Sequence, residues 1–241
     1  MLVSVDANAL EWKVVTELDR DPVAIQEILE KKDVHSINQA AFNLPSRLIS
    51  KKYLFRTIFN HGNGYAFTVD PEFMHVSTSV KYWDEVGEKF YNKYVGLEEM
   101  YQRNMQTVAS GKPLEGPLGR FWPLEMVTDY KGELKIPETK VVNYPVQGTA
   151  ADVMMIARIS FYNRLKKKSW GHLVKLITTV HDSIYVDCPK ELALEIVAMF
   201  YAVFEDLPKN IYKLFGYEWI VPLSCECSMG INMRDMEAIN M

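Results

Sequence analysis

The chain opens on "LVSVD", where apolar Leu2, Val3 and Val5 are closed by Asp6, the pattern of a short buried strand. In "ALEWKVVTELDRD" the apolar side chains then recur at helical spacing. Pro22 with "VAIQEILEKK" predicts a second helix, and "DVHSINQAAF" a third with Asp33 as its N-cap. A fourth is predicted over "NLPSRLISKKYLFRTIFN", capped by Asn43 with Pro45 in its first turn, which puts Arg47 near the positive end of the helix. "HGNGYAF" breaks it. Helical spacing returns in "SVKYWDEVGEKFYNKYV" and "LEEMYQRNMQTVASG", and "KPLEGPLGRFWPLEM" predicts a hairpin turning at Leu118 and Gly119. A polar stretch, "TDYKGELKIPETK", leads into a long helix beginning near Pro145 and running towards Lys167. Leu176 to Val180 and Ile184 to Val186 are β-branched and aromatic, so they predict two strands joined by a tight turn with His181, Asp182 and Ser183 at its tip. A helix from Lys190 to about Leu207 and a final strand, "WIVPLSCEC", complete the pattern.

Composition narrows the class without naming a function. With 241 residues, 48% of them hydrophobic, the chain can bury the core of one large domain or two small ones. No apolar run approaches the ~20 residues needed to span a bilayer, and the N-terminus lacks the succession of a signal peptide. The expectation is a cytoplasmic protein with no membrane partner. Cys188, Cys225 and Cys227 have no zinc-ligand spacing, and their odd number suits a reducing compartment. A net charge of −4 argues against a nonspecific nucleic-acid coat. It leaves room for a nucleic-acid enzyme with local basic patches, such as "RLISKKYLFR" and "RLKKK", although each also reads as a solvated helix face.

Two acidic residues, Asp6 and Asp182, stand at strand ends far apart in sequence. If the strands are sheet neighbours, their carboxylates converge at one edge, a natural place for hard divalent cations that keep water and phosphate ligands. The fourth helix carries Arg47, Lys51, Phe55 and Phe59 at four-residue intervals on one face. Cations near a helix N-terminus suit a triphosphate and aromatics further along can stack on a base, but the same stripe also suits core packing.

The opening "VSVDANALEWK", the R-x3-K-x3-F-x3-F helix, "NYPVQGTAAD" and "VHDS" occur in the order found in family A DNA polymerases, the DNA polymerase I family, and most resemble its bacteriophage members. The first resembles motif A, the second the fingers O helix and the last motif C. The resemblance implies an α+β fold: a palm, with an antiparallel sheet and packed helices, and a mainly helical fingers subdomain. Palm would cover 1–33 and 127–241, and fingers 34–126 with the O-helix-like segment 44–60. Asp6 and Asp182 would be catalytic and bind two Mg²⁺ ions. His35, Arg47 and Lys51 would contact the triphosphate of the incoming dNTP, Phe55 would sense its sugar and Phe59 would stack at the templating pair. Glu11 would be the steric gate beneath the sugar. Asn143, Gln147 and His181 would contact the template–primer DNA.

Four positions depart from the commonest family pattern. Ser183 stands where many members carry Glu, Phe59 where Tyr is usual, Thr139 where Arg is frequent, with Lys140 beside it, and Asn60 where Gly often follows. Phe59 lacks the hydroxyl that can bond the gate Glu, which puts ribonucleotide discrimination in question. Family members also place a thumb, early palm strands and often an exonuclease domain before motif A. Their absence predicts the C-terminal catalytic subunit or fragment of a split polymerase, completed by a separate N-terminal chain and acting in an infected bacterial host. Two alternatives are a single-subunit RNA-polymerase-like enzyme, which Glu11 argues against, and a catalytically inactive DNA-binding scaffold, which the retained Asp6 and Asp182 argue against.

Overall fold

The structure, a computed structural model, describes residues 1–60 and 64–239. In chain order it runs β1 (Leu2–Ala7), α1 (Leu10–Asp19), α2 (Pro22–Leu29), α3 (Val34–Phe42), α4 (Arg47–Asn60), α5 (Gly64–Thr68), α6 (Val80–Lys93) and α7 (Val95–Ala109). Two short hairpins follow, β2 (Leu114–Glu115) with β3 (Phe121–Trp122) and β4 (Val127–Thr128) with β5 (Leu134–Lys135). Then come α8 (Glu138–Lys167), β6 (Lys175–Val180), β7 (Ser183–Asp187), α9 (Ala193–Glu205), α10 (Leu207–Phe215), β8 (Cys225–Gly230) and β9 (Met236–Ile239). The break expected at His61, Gly62 and Asn63 lies outside the described residues, as does the side chain of Asn60. The chain divides into two compact units, 1–14 with 148–241 and 15–147, with the cuts falling inside α1 and α8.

The first unit is an antiparallel sheet in the order β6-β7-β1-β8-β9. Val3 and Val5 of β1, Ile184 and Val186 of β7, and Cys225 and Cys227 of β8 are all buried, one face of the alternation. Helix α9 packs against β1 and β8. Its Ile196, Val197, Phe200, Val203 and Phe204 are buried, and Phe200 stacks on Phe161 of α8 with ring centroids 4.1 Å apart. Each such aliphatic or aromatic burial contributes about 1.5–3 kcal/mol. Asp6, Ser183 and Glu226 belong to the opposite set of alternating positions and are less buried, so polar chemistry is concentrated on one face.

The second unit is mainly helical. Tyr53, Phe67, Phe73, Trp83 and Phe90 are almost wholly buried, and their rings meet in stacked and edge-on pairs 5.0–6.0 Å apart. A buried polar knot ties α2, α3 and α6 to the residue before α7. The Tyr94 hydroxyl lies 2.8 Å from Glu27 Oε2 and 2.9 Å from Asn38 Oδ1, and Lys93 Nζ lies 2.8 Å from Glu27 Oε1. In the β2–β3 hairpin a Cβ on Gly116 would come within 2.7 Å of the Trp122 ring, so only glycine allows this approach.

Several expected boundaries move. Helix α8 starts at Glu138 and holds Pro145 in its interior, so that proline does not mark its start. Asn43 does not cap α4; it ends α3 in the left-handed conformation, φ 54°, while Ser46 Oγ accepts the Ile49 N–H at 3.2 Å. "WIVPL" is not strand. Trp219, Val221 and Leu223 are buried alternately, but Pro222 has no N–H for a ladder, and β8 begins only at Cys225. The helix expected to start at Lys190 begins as a 3₁₀ turn and becomes α9 at Ala193, and α10 follows Leu207.

Candidate active site

In the first unit, β6 and β7 are joined by a two-residue turn, since Val180 pairs with Ser183. Such a turn needs a positive φ, and His181 supplies it at 52°. This places Asp182 at the tip, where its carbonyl accepts the Ala7 N–H at 3.1 Å. Asp6 lies directly opposite Ser183, whose hydroxyl donates to Asp6 Oδ2 at 2.5 Å. Motif A and motif C positions are thus adjacent through β1–β7 pairing. Burial, and then the charge of Asp6, push the Asp182 carboxyl above the ordinary carboxylate range. Glu11, in the first turn of α1, is shifted the same way, mainly by burial, with smaller contributions from Asp182 and Asp6. The charges of Asp6 and His181 act on both Glu11 and Asp182.

The donor set suits a hard cation: two carboxylates whose mutual repulsion a divalent ion would relieve. Among the described residues no three His, Cys, Asp or Glu side chains form a metal-holding cluster.

Two residues of this unit escaped sequence reasoning. Glu226 of β8 pairs with Asp6 on the side away from Ser183 and is exposed, giving a polar row Ser183–Asp6–Glu226. The signal was present in "SCECS", whose polar positions alternate with buried cysteines. Lys13 is buried and donates to Ser224 Oγ at 2.6 Å, and burial lowers its pKa to about 8. The three cysteines are free and buried.

The second unit holds the cationic and aromatic stripe. Arg47 is the first residue of α4, and Lys51 Nζ lies 5.8 Å from the centroid of the Phe55 ring. Phe55 stacks on Phe59 at 5.8 Å, and His35 of α3 lies 6.3 Å from Phe55. Ile49, Tyr53, Leu54 and Ile58 fill the core side of the helix, which leaves the stripe on the outer side. His35 is half-buried, its Nδ1 has no partner among the described residues, and burial followed by the Arg47 charge lowers its pKa. Asn143 and Gln147 lie on α8, and Asn143 Oδ1 is a buried acceptor without a partner among the described residues.

The profile of DNA polymerase family A matches residues 1–235. The chain is 24% identical to the thermostable DNA polymerase I of Thermus filiformis over 91% of its own length and 27% of that protein's. It is 26% identical to DNA polymerase I of Aquifex aeolicus, covering 79% of this chain and 33% of the relative. To the DNA polymerase of Bacillus phage SP01 the identity is 23%, over 98% of this chain and 26% of that protein. The fold matches the POL domain of Pol1 from M. smegmatis, solved in complex with DNA primer-template and dNTP, with a TM-score of 0.78 and 19% identity over 95% of this chain and 39% of that one. The chain thus spans about a quarter to a third of the length of these sequence relatives.

Proposed function

Because the chain belongs to DNA polymerase family A, we propose that it carries the nucleotidyl-transfer centre of a template-directed DNA polymerase. The observation that carries this reading is the adjacency of Asp6 and Asp182 across the β1–β7 pairing. These two carboxylates would hold two Mg²⁺ ions, which when bound would ease ionisation of the primer 3′-hydroxyl and offset charge on the phosphates. Arg47 and Lys51 place positive charge at oxygens of the incoming triphosphate, where the leaving group develops negative charge, and His35, whose pKa is lowered, binds them as a neutral hydrogen-bond donor. Phe55 packs at the sugar and Phe59 stacks at the templating pair. Glu11 fills space beneath the sugar and selects against a 2′-hydroxyl. Asn143, Gln147 and His181 bind the template–primer, and Asn143 Oδ1, buried without a partner among the described residues, supports that role.

In this reading palm covers 1–33 and 127–241 and fingers 34–126. A second polypeptide pairs with β6, whose Ile177 and Val180 lie exposed at the edge of the sheet. Primer extension on a DNA template by the assembled polymerase tests the reading. Deoxynucleotides should be incorporated in strong preference to ribonucleotides, and Asp182→Ala should reduce extension by on the order of a thousandfold. Extension by Asp182→Ala at the unmodified rate would overturn the assignment.

A further inference from the structure

Arg47 does not stand alone at the start of α4. Its Nε donates to Asp33 Oδ2 at 2.6 Å and its Nη2 to Asp33 Oδ1 at 3.0 Å, a side-on bidentate pair. Asp33 is itself fixed. As N-cap of α3 it accepts the His35 N–H on Oδ1 at 3.3 Å, and Ser36 Oγ donates to Oδ2 at 2.5 Å. Both carboxylate oxygens are therefore occupied twice, and one side chain ties the start of the helix bearing His35 to the start of the helix bearing Arg47.

A guanidinium has five N–H donors in a rigid plane, and the side-on grip uses one on Nε and one on Nη2. Among the described residues no acceptor meets either N–H group of Nη1 or the second of Nη2. These remaining donors form the end-on fork that suits a phosphate oxygen pair. The Asp33 grip thus leaves the phosphate-binding end of Arg47 open while removing the rotational freedom of a long, exposed side chain.

We propose that Asp33 is a positioning residue for the incoming nucleotide, holding the Arg47 guanidinium side-on so that its Nη1 end faces the triphosphate. This rests on the assignment of Arg47 to the triphosphate. Without the grip, Arg47 must be ordered at the moment of binding, which for a flexible side chain corresponds to roughly a 2- to 10-fold loss of affinity. Asp33→Asn is the informative variant, because Asn caps helices as well as Asp does but has one acceptor oxygen and no charge.

Steady-state primer extension by the assembled polymerase, with KM for dNTP and kcat measured separately, tests the proposal. Asp33→Asn should raise KM roughly 2- to 10-fold with kcat and thermal midpoint nearly unchanged. In an Arg47→Lys background the same change should have little further effect, because an ammonium has no side-on fork to hold. The proposal is overturned if Asp33→Asn leaves KM unchanged or lowers it, or if the effect is equal in both backgrounds. Should Arg47→Lys itself leave KM unchanged, the triphosphate assignment of Arg47 fails first and the positioning role fails with it.

Discussion

At the scale of single residues, His181 accepts a backbone conformation that costs an L-residue about 1 kcal/mol and that glycine adopts freely. An imidazole kept in such a turn beside Asp182 is more easily understood as a ligand-binding group than as a turn former. His181→Gly should therefore stabilise the fold by up to ~1 kcal/mol while weakening primer-terminus binding, as read by thermal unfolding and by primer–template affinity. Asp19 makes a different prediction. Burial and the neighbouring Asp21 charge raise its pKa from 3.8 to about 7 despite the Asp21 N–H that it accepts at 2.8 Å. Between those values the folded chain keeps a proton that the unfolded chain has released, so stability falls as pH rises through that window. Asp19→Asn should flatten the slope and add about 1–3 kcal/mol at pH 8, allowing for solvent screening, in urea unfolding compared at pH 5 and pH 8. Asp6 and Asp182 were legible in the sequence because each closes an apolar run. Glu226 was not, because nothing in "WIVPLSCEC" shows that its strand pairs with β1 and sets Glu226 opposite Asp6.

At the scale of elements, caps and apolar spacing located most helices, and the misses share physical causes. Pro145 resembles a first-turn proline, yet the buried Val141 and Val142 anchor the helix before it. Residues 219–223 bury alternate side chains without ladder pairing, and periodicity alone cannot separate those cases. Asp21 caps α2 and also holds the start of α7. Its Oδ1 accepts the Val23 and Ala24 N–H groups at 2.9 and 3.0 Å, and its Oδ2 accepts the Gly96 N–H at 2.9 Å. Asp21→Ala should destabilise the chain by about 2 kcal/mol or more, measured as a fall in denaturant midpoint.

For the whole molecule, sheet order decides what meets what. Nothing local announces that β1 lies between β7 and β8, because those pairings join residues almost a chain length apart. The family pattern of motifs carried that information, and the antiparallel sheet with packed helices agrees with it. The same order leaves β6 at an edge with Ile177 51% exposed, an apolar position that a pairing partner would cover. Ile177→Lys should leave the fold intact but weaken association with the proposed second polypeptide at least several-fold, as measured by analytical ultracentrifugation.

The most direct test is titration of Mn²⁺ into the assembled polymerase with primer–template and a non-hydrolysable dNTP, followed by electron paramagnetic resonance. Unmodified protein should bind the ion tightly, and Asp6→Ala and Asp182→Ala should each lose that binding together with primer extension. Unchanged Mn²⁺ affinity in both variants would mean that the β1 carboxylate and the hairpin carboxylate do not share a metal centre.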